Sequence, residues 1–107
     1  MNISIRNQII VALMQALLGA ISSNFRAVLI EFSQGLDVRF FLVKDLIEDA
    51  DEMDDVITEF ESLVMRIEAL SVKYSVEVGE DRIDFSGDNV IPIYIRREYF
   101  VQKAQII

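Results

Sequence analysis

The sequence DLIEDADEMDDVITEFE (residues 45–61) predicts a helix in the middle of the chain. Apolar residues recur at spacings of three and four within this stretch and beyond its end, which is the period of an amphipathic helix. The residues that carry the repeat are Met53, Val56, Ile57, Phe60, Val64 and Ile67. We therefore expect a helix from about Leu46 to Leu70 that buries this face.

The same stretch is strongly acidic. Nine of its seventeen residues are Asp or Glu, and none is Lys or Arg. Such a charge run is either a solvated helix face or a docking surface for a basic partner, and the residues alone leave both interpretations open. The candidate partner-binding residues are Glu48, Asp49, Asp51, Glu52, Asp54, Asp55, Glu59 and Glu61.

Two elements precede the acidic helix. Apolar residues at helical spacing between Ile10 and Ile21, including Met14 and Leu18, indicate an α-helix that ends near Gly19. FRAVLIEF (25–32) and LDVRFFLV (36–43) then flank the turn signal SQG. They are rich in β-branched and aromatic residues, so we predict a β-hairpin.

Two further strands follow the helix. VKYSVEV (72–78) alternates with the strand period, and VIPIYIRR (90–97) reads as a last strand whose Pro92 belongs at its start or on a sheet edge. RIDF (82–85) fits either a short strand or a long loop, and residues 98–107 fit either a short helix or a tail.

The fold class that follows is α+β, in the order α-β-β-α-β-β, with the helices packed on one mostly antiparallel sheet. The 107 residues suit a single domain, 1–107, without a linker or an internal repeat. Over half of the residues are apolar, so one core can hold a chain of this size together.

Catalysis, metal binding and cofactor binding have little support in these residues. The chain has no histidine and no cysteine, which removes the commonest general base, the commonest metal ligand and a thiol nucleophile. It also lacks a Ser-x-x-Lys motif and a glycine-rich phosphate loop, and the acidic stretch lacks the glycine of a calcium loop. We therefore expect a protein that is not an enzyme and uses no cofactor or metal.

The charge distribution restricts the kind of partner. The chain carries −8, and the acidic stretch contributes −9, so the remainder sums to +1. A local field of this sign repels nucleic acid and anionic membranes and attracts basic proteins. YIRREYF (94–100) is only a weak nucleic-acid signal. Residues 9–22 resemble a signal-peptide core, but only Arg6 precedes them and Gln15 interrupts them, so we favour a helix.

A family resemblance adds to this interpretation. ALLGAISSNFRAVLIEF (16–32) places Ala-Leu-Leu-Gly, Asn24 and Arg26-Ala27-Val28 at a helix-to-strand junction. The acidic helix with EFE follows, and the late strands end in YIRRE (94–98). Over about residues 13 to 98 the chain resembles small acidic bacterial proteins encoded beside polymorphic toxin genes, the immunity proteins of contact-dependent growth inhibition systems.

The resemblance implies a toxin inhibitor that works by protein–protein interaction in the cytoplasm of the producing cell. Its partner would be the toxic C-terminal domain of a cognate effector, commonly a nuclease with a basic active site. An acidic helix would mimic a polyanion there, and tight affinity would need buried anchors. Candidate anchors are Phe32, Phe40, Tyr74 and Tyr99.

Structural roles compete with binding roles at the junction. Asn24 suits the turn after the first helix, Arg26 suits an ion pair with Glu31 or with an acid of the second helix, and Ala27 suits close approach of strand and helix. The alternative function is a homo-oligomeric scaffold or regulatory domain, such as a homodimer, whose acidic face serves only solubility.

Overall fold

The computed structural model describes residues 1–97, so the predicted tail and Tyr99 lie outside the described part of the chain. The elements are α1 (Ile3–Leu17), β1 (Phe25–Phe32), β2 (Leu36–Leu42), α2 (Ile47–Met65), β3 (Val72–Val78) and β4 (Val90–Ile95). The predicted order is confirmed. The fold is α+β, with two helices and a four-stranded mixed sheet in the order β3-β2-β1-β4.

The sheet is mostly antiparallel, as predicted. β1 pairs antiparallel with β2 on one side and with β4 on the other. β3 instead pairs parallel with β2, with Leu36 opposite Val72, because parallel strands need a long crossover and α2 provides it. Pro92 lies on edge strand β4, which agrees with its lack of a backbone donor.

The parallel pairing begins at a tight contact between the two chain segments that enter it. The backbone N–H of Leu36 donates to the carbonyl oxygen of Ser71 at 2.9 Å. Gly35 lies so close that an added Cβ would be 2.6 Å from the Ser71 Oγ and 2.9 Å from its carbonyl oxygen. A side chain at residue 35 would therefore push the starts of β2 and β3 apart.

Both helices cover one face of the sheet and contact each other along their length. Phe40 lies at the centre of this core, with its ring edge-on to Phe25 at 6.2 Å and to Tyr74 at 5.9 Å between centroids. The inner face of α2 matches the prediction at five of six residues, since Met53, Val56, Ile57, Phe60 and Val64 are all buried. Ile67 lies beyond the end of the helix and is only partly buried. With this face packed inward, the acidic residues of α2 other than Asp49 lie on its exposed side.

The buried face of α1 differs from the predicted stripe. The helix begins earlier than expected, because the Asn2 side chain accepts a hydrogen bond from the Ile5 N–H at 2.9 Å and caps it. Met14 and Leu18, which share the predicted stripe, are exposed. The residues that α1 buries are Ile9, Ala12, Leu13, Ala16 and Leu17.

The opposite face of the sheet is covered by the connection between β3 and β4, which crosses from one edge of the sheet to the other. Ile83 inserts from this connection against Ala27, Leu29 and Phe41. RIDF is therefore part of a long loop. Ala27 faces this loop, because the strand register shifts between Phe25 and Ala27. The prediction that Ala27 lets the strand approach a helix is therefore wrong.

We predict that Phe40→Ala lowers the free energy of unfolding by about 3–5 kcal/mol, since it leaves a cavity between three elements. The matched control is Ser75→Ala on the exposed neighbouring strand, which should change stability by less than about 0.5 kcal/mol. Urea denaturation of both variants measures this. Equal, small losses in both would contradict the central position of Phe40.

Candidate functional site

The outer face of α2 carries a dense set of carboxylates. Of the eight candidate partner-binding residues, all except Asp49 are exposed. We call this set the acidic face, and it consists of Glu48, Asp51, Glu52, Asp54, Asp55, Glu59 and Glu61. Within residues 1–97, none of these carboxylates is ion-paired with a lysine or an arginine. The charge is therefore left available to a partner.

Little within α2 itself offsets this charge. Its N-cap, Leu46, provides no side-chain hydrogen bond, and the last turn has no basic residue for the negative end of the helix dipole. Glu48 and Asp49 in the first turn are favourable, but carboxylates three or four residues apart repel by up to about 0.5 kcal/mol per pair. The helix is consequently held by packing on the sheet and by contacts at its ends.

Asp49 has a different role from the other candidates. It is 4% exposed and lies on the inner side of α2. Its carboxylate accepts hydrogen bonds from the Ser22 hydroxyl at 3.0 Å and from the Asn24 side-chain amide at 2.7 Å. Asp49 thus joins the first turn of α2 to the loop between α1 and β1, and a partner does not reach it in this position.

Asn24 completes this junction. Its side-chain amide also donates to the Lys44 carbonyl oxygen at 2.7 Å, and its side-chain oxygen accepts from the Lys44 N–H at 2.9 Å. One asparagine therefore holds both the segment that enters α2 and the helix itself. In the sequence, Asn24 suits only the turn after the first helix, and nothing local links it to Asp49.

Arg26 also supports the fold. It is buried, and its Nη1 donates to the carbonyl oxygen of Gly79, just after β3, at 2.9 Å. The arginine thereby ties β1 to the end of an edge strand that β1 does not itself pair with. Asn24 and Arg26 thus both hold segments distant in sequence, which is a structural role. In this hydrogen bond, the partner of Arg26 is a backbone carbonyl oxygen rather than the expected carboxylate.

The acidic face contacts the sheet through Asp54. The Tyr74 hydroxyl, on β3, donates to the Asp54 carboxylate at 2.6 Å. This hydrogen bond, followed by burial and the negative charge of Asp54, raises the pKa of Tyr74 above its ordinary value of 10.0. The bond fixes the middle of α2 against the edge strand while leaving the neighbouring acids exposed.

The candidate anchors are mostly unavailable to a partner. Phe40 is 0% exposed and Phe32 is also buried, so the interpretation of these two as anchors is wrong. Phe32 instead packs beneath the Arg6 guanidinium, 4.9 Å from its ring centroid. Tyr74 is partly exposed and remains accessible beside the acidic face.

Within residues 1–97, no group of three or more Asp or Glu side chains is arranged to hold a metal ion. No helix of this part is long and apolar enough to cross a membrane. A depression of about 420 Å³ lies on the loop-covered side of the sheet, lined by Arg26, Phe41, Glu77, Val78, Asp81, Arg82 and Ile83.

The comparison with known families agrees with the geometry. Residues 6–98 match the MafI2 immunity protein family. The chain therefore belongs to this family, and the predicted resemblance to immunity proteins of polymorphic toxin systems is confirmed. No curated protein sequence matches the chain.

Family membership defines the general role. An immunity protein neutralises a toxin, and it does so by binding a cognate toxin partner. Such families are generally non-catalytic. An exposed acidic face on a helix that is fixed at several points is compatible with a binding role of this kind.

We predict that Asp49→Ala lowers the free energy of unfolding by about 1–3 kcal/mol, because Ser22 and Asn24 lose a buried acceptor. Asp55→Ala on the exposed side of the same helix should change it by less than about 0.5 kcal/mol. Urea denaturation distinguishes the two. Equal effects would show that the junction does not hold α2.

We predict that the Tyr74 phenol titrates above pH 10, measured as the difference in phenolate absorbance between the wild type and Tyr74→Phe. Because the folded-state pKa is raised, the stability it contributes is fully present below pH 10 and is lost as the pH rises through the folded-state pKa. Asp54→Asn should return the titration toward the ordinary value. An unchanged titration in that variant would contradict the assigned cause.

Proposed function

We propose that this protein neutralises the toxic C-terminal domain of a cognate bacterial effector by placing the acidic face of α2 against a basic surface of that domain. The inhibition takes place in the cytoplasm of the producing cell, within a contact-dependent growth inhibition system. The observation that carries the proposal is the set of seven exposed carboxylates on one helix, none of which is ion-paired with a lysine or arginine of residues 1–97.

A nuclease is the toxin class that this face fits best. A nuclease must hold phosphate groups, so its substrate groove is basic. Seven carboxylates along one helix present closely spaced negative charge, which competes for the same groove. Such complementarity raises the association rate and disfavours partners of the wrong charge. The proposed mechanism is polyanion mimicry, in which this chain performs no chemistry.

The way α2 is held suits such a mechanism. Asp49 and Asn24 fix its first turn, Asp54 and Tyr74 fix its middle, and its inner face is packed on the sheet. A helix fixed at these points loses little conformational freedom when a partner binds. The rigid support therefore favours affinity as well as charge complementarity.

The first experiment is genetic. The reading frame beside this gene should encode a large secreted protein whose C-terminal domain stops growth when expressed in the cytoplasm. Co-expression of this chain should restore growth and yield a stable complex with that domain. If the wild-type chain gives neither protection nor a complex, the proposed function is wrong.

We predict that neutralising three outer acids, in the triple variant Asp51→Asn, Asp55→Asn and Glu59→Gln, slows association with that toxin domain about ten-fold at low salt. The dependence of the rate on salt should also become shallower, because fewer exposed charges remain to be screened. Stopped-flow mixing across a salt series measures both quantities.

The matched control neutralises three acids outside the helices: Glu31→Gln, Asp37→Asn and Asp88→Asn. It changes the net charge by the same amount and should leave the association rate within about two-fold of the wild type. Equal slowing in both triple variants would mean that net charge steers the encounter. No slowing in the first variant would exclude the acidic face as the docking surface.

A further inference from the structure

Helix α1 is apolar on two opposite sides, which is unusual for a helix on a protein surface. Its inner side packs on the sheet and against α2. Its outer side exposes Ile3 by 76%, Val11 by 59% and Met14 by 52%, and Leu18 at the C-cap by 81%. A helix that is apolar all round is normally covered by other protein. Within residues 1–97, nothing covers this outer side.

The exposed residues follow a coiled-coil spacing. From Asn7, the steps to Val11, Met14 and Leu18 are four, three and four residues. Ile3 lies four residues before Asn7, one residue outside this alternation but on the same side of the helix. An alternation of three and four gives the 3.5-residue period at which one helix faces another along a continuous seam. We call these five residues the neutral stripe, with exposed Asn7 as its one polar member.

The neutral stripe contrasts with the charge of the rest of the protein. The one charged residue of α1 is Arg6, and it is directed over the ring of Phe32 rather than into the stripe. The exposed polar residues beside the stripe, such as Gln8 and Gln15, are uncharged. Two copies of this surface can therefore meet without like charges facing each other in the contact.

We propose that the neutral stripe is a dimer interface whose occupant is the same stripe of a second copy. The two α1 helices pack side by side around a two-fold axis parallel to them. Each apolar residue then meets its own equivalent, and the two Asn7 side chains meet inside the seam. An asparagine at such a seam position selects register and oligomeric state, because only the matched arrangement pairs both amides.

The position of the acidic face favours a parallel over an antiparallel pair of α1 helices. α2 lies beside α1 on the same face of the sheet, and packed helices are about 8–10 Å apart. In an antiparallel pair, the two-fold axis would place both α2 helices on the same side, with one acidic face opposite the other. A parallel pair places them on opposite sides of the seam. The parallel arrangement therefore leaves both acidic faces open.

Other occupants fit the neutral stripe less well. A basic toxin surface finds its charge complement in the seven carboxylates of α2 rather than in an uncharged stripe. A membrane surface generally requires Lys or Arg around the apolar side of the helix, and none flanks this stripe. The dimer is independent of the proposed toxin, since it requires only this chain.

The first test measures mass by light scattering at concentrations up to about 100 µM. The wild type should give twice the monomer mass of 12.3 kDa, at low and at high salt, because the seam is uncharged. The double variant V11E/M14E should give the monomer mass with unchanged circular dichroism, since both residues are exposed. The control S75E/N89E adds the same charge at exposed residues elsewhere and should remain dimeric.

The second test uses the absence of cysteine in the chain. In a parallel pair, N7C should cross-link to itself with a short bismaleimide. In an antiparallel pair it would face Met14 instead, so only a mixture of N7C with M14C would cross-link. Self-cross-linking of N7C, together with loss of the product in the V11E/M14E background, supports the proposal.

Four results would overturn the dimer proposal. A wild-type chain that stays monomeric removes the dimer, and a V11E/M14E variant that stays dimeric places the interface elsewhere. A monomeric wild type whose stripe variant no longer binds the toxin domain would assign the stripe to the toxin. Cross-linking in the mixture alone would reject the parallel arrangement.

Discussion

The structure depends on the packing of one highly charged helix. α2 carries eight acidic residues and has no side-chain cap and no basic residue in its last turn, so its own sequence disfavours an isolated helix. Burial of its apolar face against the central strands and α1 offsets that repulsion, and Asp49 and Asp54 add hydrogen bonds to fixed partners. α2 can carry this much like charge only because its apolar face packs on the sheet and on α1.

The surfaces of the protein differ in charge from one element to the next. The helix layer presents an acidic helix and a neutral helix side by side, and the loop-covered side of the sheet presents mixed charge around the Arg39–Glu77 ion pair. The proposed toxin contact and the proposed dimer use different surfaces of the helix layer, so the two can form at the same time. Neither requires a cavity, a metal ion or a catalytic group.

The order of elements was predictable because each has a clear period or turn signal, and β1 and β3 have the predicted bounds. The parallel pairing of β3 with β2 could not be predicted, since the period of a strand does not indicate which strand lies beside it. α2 ends at Met65 rather than at Leu70, where turn bonds replace helical ones. Asp49 looked like the other acids, and its burial depends on Asn24, 25 residues away. In α1, apolar residues on both sides concealed which side is buried.

The topology also has a consequence for how the chain is made. The two central strands, β1 and β2, are consecutive in sequence and are joined by a three-residue turn, 33–35. Every later strand adds to an edge, β3 on one side and β4 on the other. During synthesis, the sheet can therefore grow outward from its first hairpin without being reopened. The acidic helix leaves the ribosome after α1 and the two central strands have been translated, and β3 then follows it with the Tyr74 contact.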